Sequence, residues 1–106
     1  MINHIRHGDC LLTRIDTLPE GKEIQHRGQH VLAWGEVTGH AHRLTVKDKD
    51  DMKVIESGGI TFISLIAPSP LTHEEHKQLE IPSGVWRLTF EREYDACLES
   101  IRQVQD

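Results

Sequence analysis

A chain of 106 residues accommodates one hydrophobic core and excludes two independent cores of ordinary size. Its 37% apolar and 27% charged residues describe a folding domain, and 12 basic against 17 acidic residues, a formal charge of −5, exclude the broad basic surface of a general nucleic-acid binder. No apolar segment approaches the roughly 20 residues that span a bilayer, and the opening MINHIRHGDC has no signal-peptide core, so the expectation is a cytoplasmic protein with no membrane partner.

Along the chain, HIRHGDC carries His4 and His7 ahead of Gly8-Asp9, a pair that reads as a turn into the first strand. Short apolar runs then recur: CLLTRI at 10–15, VLAWGEV at 31–37, RLTV at 43–46, MKVI at 52–55, ITFISLI at 60–66 and VWRLTFE at 85–91. The separators LPEGK, KDKDD, ESGG, APSP and IPSG are rich in turn-forming residues. This spacing predicts a mainly all-β fold, a single-domain barrel or sandwich over 1–106 with its β core at 9–93. Trp86, Leu88 and Phe90 alternate with Arg87, Thr89 and Glu91, the pattern of a strand with one buried face. Ile60 to Ile66 is apolar on both faces, as a central, covered strand would be. Lys47 to Asp51 mixes charges and reads as a solvated hairpin tip. At the end, Asp95 can cap a short helix over 95–104 that brings Tyr94, Leu98 and Ile101 to one side. Cys10 and Cys97 lie far apart with no CxxC pair, which points to reduced, buried thiols.

The unusual feature is eight histidines, whose protonation near pH 6 would carry the formal charge from −5 to +3. In GHAHRLTV, read as a strand, His40 and His42 fall on one face with Leu44 and Val46. Ala41, Arg43, Thr45 and Lys47 take the other, which carries both cations and is the expected solvent side. Two inward imidazoles about 7 Å apart at the α-carbons can converge on one ion or one substrate atom. Gly39 then provides a bend or a close approach at the mouth.

A second cluster, PLTHEEHKQLEIP, opens with Thr72 and Glu75 in the form of a capping box, so a helical turn is expected in which His73 and His76 share a side. The spacing is not the HExxH of zinc proteases, and that reaction class drops out. Together the two clusters offer His40, His42, His73, His76, Glu74 and Glu75, ligand types that suit zinc, manganese, iron or nickel. A structural alternative leaves His73 and His76 on a polar loop and His40 and His42 hydrogen-bonded at a sheet edge. Glu36, in GEVTGHAH, has the parity to join His40 and His42 as ligand or base, and Arg92 can bind an anion near the mouth or form a surface ion pair. His4 with His7, and His26 with His30, are weaker candidates in a turn and a polar loop.

An HxH pair on an inward strand followed by IPSG resembles part of the cupin pattern, G(x)5HxH(x)3-4E and then PxG(x)2H. The likeness covers about residues 35–90 and implies a small barrel with His40 and His42 as ligands near its mouth. Gly35 stands one residue too close to His40, no glutamate follows His42 at the required distance, and Arg87 occupies the place of the later histidine. GEVTGHAH, LTHEEH and REYD together also resemble a family of small bacterial and phage proteins, a likeness that spans most of the chain and implies only that these segments belong together.

Three functions are compatible with these residues. A metal-binding enzyme of cupin-like architecture would hold a divalent ion with three or four of the six candidates and act as a hydrolase or lyase on a small molecule. A metal-independent phosphodiesterase or ribonuclease would use His40 or His42 as base and His73 or His76 as acid on a nucleotide or RNA, with Arg43, Arg87 or Arg92 steadying the anion. A non-catalytic phage or bacterial accessory module, a homo-oligomer among the options, would use the histidines to organise loops or sense pH.

Overall fold

Apolar and β-branched residues alternate between turn formers, and the chain accordingly runs as short strands. A computed structural model of the chain describes residues 2–34 and 39–90. The strands are β1 (His4–His7), β2 (Cys10–Ile15), β3 (Lys22–Ile24), β4 (Gln29–Trp34), β5 (Ala41–Thr45), β6 (Met52–Ser57), β7 (Ile60–Leu65), β8 (Ser69–Thr72), β9 (Leu79–Ile81) and β10 (Gly84–Phe90). They form two antiparallel sheets, a six-stranded one in the order β1-β2-β10-β7-β6-β3 and a four-stranded one in the order β4-β5-β8-β9. Leu12, Val54, Ile63 and Trp86 of the first sheet and Leu44, Leu71 and Ile81 of the second join one buried cluster, so the core lies between the sheets. The fold is all-β, as the spacing of apolar runs predicts.

The alternation in β10 works as expected, with Trp86 and Leu88 buried and Arg87 exposed. The Trp86 indole N–H donates to the Pro82 carbonyl at 2.9 Å, and the Arg14 guanidinium lies 4.4 Å from the ring centroid. β7 is central, between β10 and β6, although only Ile63 and Leu65 are fully buried on it. Cys10 is a buried thiol. Among the described residues no helix is long and apolar enough to cross a membrane.

Two local expectations are corrected. Lys47 to Asp51 is not a hairpin tip, because β5 and β6 belong to different sheets; the segment crosses between them through a 3-10 turn, Lys49–Asp51, whose start Asp48 caps by accepting the Asp50 amide at 3.0 Å. No helical turn begins at Thr72. That residue is the last of β8, its hydroxyl donates to the Arg43 carbonyl at 3.4 Å, and the Glu75 amide goes to His73 instead of to a threonine cap. The terminal helix expected over 95–104, with Tyr94, Asp95 and Cys97, lies outside the described residues, as do Glu36 and Arg92.

Candidate functional site

Three segments far apart in sequence meet at one end of the fold. β1 ends at His7, which pairs with Cys10 across a two-residue turn, and Gly8 opens that turn with φ +61°. His7 is thereby 4% exposed. On β5, His42 shares the inward face with Leu44 and is 5% exposed. The segment between β8 and β9 supplies His73 and His76.

The imidazoles form a continuous group. Ring centroids are 4.4 Å apart for His42 and His73, 4.6 Å for His73 and His76, and 5.5 Å for His42 and His76. His7 lies 5.0 Å from His42 and 5.4 Å from His76. One nitrogen from each of His42, His73 and His76 lies within 4.8 Å of the others. A tetrahedral zinc ion with bonds of about 2.0–2.1 Å separates its nitrogen donors by about 3.3 Å, so ligation asks for a contraction of at most about 1.5 Å. The exposed loop that carries His76 can supply it.

Gly8 permits this approach. A side-chain carbon there would stand 2.7 Å from His42 Cε1, 3.1 Å from His42 Nε2 and 2.8 Å from His76 Nε2, all inside ordinary contact. Gly39, expected as a bend or a close approach, has φ +86°, a backbone conformation that suits the bend, and among the described residues no atom lies within 4 Å of a side-chain carbon placed there.

Electrostatics keep the buried rings neutral. Burial first, and then the neighbouring His73, His7 and His76, pull His42 down from the ordinary imidazole value of 6.5 to about 4, against a small opposing pull from Asp9. His7 is also lowered, by burial above all and by His76 and His73, while its bond to the Lys77 carbonyl pulls the other way. Neutral imidazole is the form that ligates a metal.

The outer edge of the site is tied down by Glu74. Its Oε1 accepts the Ala41 amide at 2.9 Å and its Oε2 pairs with Arg43 at 2.7 Å, which hold the carboxyl down at about 2. Arg43 also donates to the carbonyls of Gly39 and Ala41, at 3.1 and 3.4 Å. The face expected to meet solvent is therefore covered at Ala41, which is 0% exposed. His40 lies 5.7 Å from His73 by ring centroid, and its Nδ1 is 3.5 Å from Glu75 Oε1. His40, His73 and Glu74 form a second group of donors within 4.8 Å of one another.

Of the candidates named from sequence, the structure thus brings His40, His42, His73, His76, Glu74 and Glu75 to one region. His26 is committed elsewhere: Nε2 meets the Met52 carbonyl at 2.6 Å and Nδ1 accepts the Gly28 amide at 2.9 Å. His4 is exposed on β1. Sequence alone underrates His7. Its one signal is position, since a residue at the end of a strand before Gly-Asp is paired across a hairpin and held in place.

Residues 6–91 match the profile of a protein family described as a domain of unknown function, DUF8820. The chain belongs to this family. The DUF8820 span contains His7, Gly8 and all six clustered candidates. No curated protein and no solved structure matches the chain.

Proposed function

We propose that this DUF8820 protein is a small metal-dependent enzyme in which His42, His73 and His76 hold one divalent ion, leaving an open coordination position for water or a small oxygen-containing substrate. The observation that supports this reading is three imidazole nitrogens, from β5 and from the loop after β8, within 4.8 Å of one another. A three-nitrogen set suits zinc, with iron, nickel and manganese as the other candidates. Such an ion lowers the pKa of a bound water and polarises a substrate oxygen, the chemistry of a hydrolase or lyase. His73 must change partners to take part, because its Nδ1 accepts the Glu75 amide at 3.0 Å. Glu74 and His40 are a neighbouring donor pair at the rim. A cupin-like relationship draws support from two antiparallel sheets and an inward His42, and is weakened by the exposed Arg87 at the place of the later histidine.

The test is metal analysis of the full chain purified without a histidine tag. Near-stoichiometric metal in the parent, lost in His42→Ala and in His76→Ala variants that keep their fold, is the expected outcome. A parent that takes up none of zinc, iron, nickel or manganese at micromolar concentration refutes the reading.

A second reading has one observation in its favour. The Glu75 amide occupies His73 Nδ1, so a neutral His73 carries its proton on Nε2 and can act as an acid beside His42 as base. This is the metal-independent phosphodiesterase. It is the weaker reading because Arg43, one of its candidates for steadying an anion, is held by Glu74. Retained cleavage of an RNA dinucleotide in the presence of a chelator supports it.

A further inference from the structure

His7 makes two hydrogen bonds that fix where protons sit in the cluster. Its Nε2 is 3.0 Å from the Lys77 carbonyl, which only accepts, so Nε2 carries a proton. A neutral imidazole has one such proton, and Nδ1 of His7 is left bare. That Nδ1 is 2.9 Å from His42 Nδ1, and two bare nitrogens at this distance would face each other with lone pairs alone, so His42 Nδ1 is the donor. His42 then has no proton on Nε2. This is the nitrogen that stands, with His76 Nε2, beside the bare α-carbon of Gly8.

We infer that His7 is a positioning residue, which sets the tautomer and the ring orientation of His42 through a His42-to-His7-to-Lys77 hydrogen-bond relay and so presents His42 Nε2 to a ligand. Its functional meaning rests on the proposal that His42 is a metal ligand. Ligating imidazoles commonly donate their second nitrogen to a carbonyl or another acceptor that fixes the tautomer, and here the acceptor is a second histidine. The relay has a mechanical consequence as well. Lys77 follows His76 directly, so the bond from His7 to its carbonyl ties the loop bearing two of the proposed ligands to the hairpin that bears the orienting ring. His7 is not available as a further ligand through Nδ1 or Nε2 while both bonds stand.

The decisive measurement is a long-range proton–nitrogen spectrum of the nitrogen-15-labelled full chain at pH 8 with a chelator. The expected pattern has the His42 proton on Nδ1 and the His7 proton on Nε2. His7→Ala should weaken zinc binding by about 10–100-fold and mix the His42 tautomers. His7→Gln, whose amide offers one acceptor and one donor, should restore zinc affinity to within severalfold and the Nδ1 proton on His42. A parent with the His42 proton on Nε2 overturns the inference, and if His7→Ala does not fold, that spectrum decides alone. Zinc affinity unchanged in folded His7→Ala also overturns it, as does loss of zinc in His7→Gln with the His42 tautomer intact, which would make His7 a ligand. If the parent binds no zinc and still shows the proton on Nδ1, the relay stands and the metal reading falls. If the parent binds zinc and the chelated protein carries the His42 proton on Nε2, the metal reading stands and the relay falls.

Discussion

Replacing Gly8 by alanine probes the close approach on which the cluster depends. The new carbon would meet His42 Cε1 at 2.7 Å and His42 Nε2 at 3.1 Å, and the residue would have to hold φ at +61°. A positive φ costs an L-residue about 1–2 kcal/mol, and crowding a packed site costs about 1–3 kcal/mol, so Gly8→Ala should destabilise the protein by about 2–5 kcal/mol. The two contributions separate because only one needs His42. The His76 ring lies on an exposed loop and can swing aside, whereas the His42 ring is buried and bonded to His7. In a His42→Ala background the crowding vanishes and the backbone strain remains, which gives a coupling of about 1–3 kcal/mol between the two substitutions. Urea denaturation of the parent, both single variants and the double variant, at pH 8 with a chelator, measures it. An equal cost for Gly8→Ala with and without His42 refutes the argument that the glycine is there for the imidazole.

Acidification of the chelated protein should unfold it more easily. The unfolded His42 protonates as pH falls below 6.5 while the native one stays neutral down to about 4, so stability is intact above 6.5 and lost progressively across that window. At 1.36 kcal/mol per pH unit the interval amounts to about 3 kcal/mol. His7 acts in the same direction, and a His42→Gln variant should therefore show a shallower pH dependence of the urea midpoint; an unchanged slope would count against the reasoning. Glu74→Ala removes the acceptor of the Ala41 amide and the partner of Arg43, so the Ala41 amide should exchange faster with solvent while the urea midpoint moves little, the ion pair being exposed. Slow exchange at Ala41 in that variant would contradict the structure. Trp86→Ala empties the centre of the core and should cost about 3–5 kcal/mol in a denaturant titration, with Trp86→Phe costing less.

The sequence by itself determined the class of fold. Turn formers at regular intervals and period-two runs such as Trp86, Leu88 and Phe90 dictate strands through local preference and burial alone, and six of the ten strands among the described residues overlap those runs. β1, β3, β8 and β9 were not legible, because HIRH, KEI, SPLT and LEI are three or four residues long, and their neighbours in the ladders hold them extended. The inward orientation of His42 was readable from strand parity, since alternation is a property of the backbone. The company His42 keeps was not. Thr72 and Glu75 look like a capping box until the pairing of Thr72 with Arg43 across β5 and β8 takes the threonine away. The role of His7 depends on a hairpin register, on a carbonyl 70 residues away along the chain and on the absence of a side chain at Gly8. Local sequence sets which way a side chain points; only the packing of two sheets sets which other side chains it meets, because those contacts join residues that no local interaction connects.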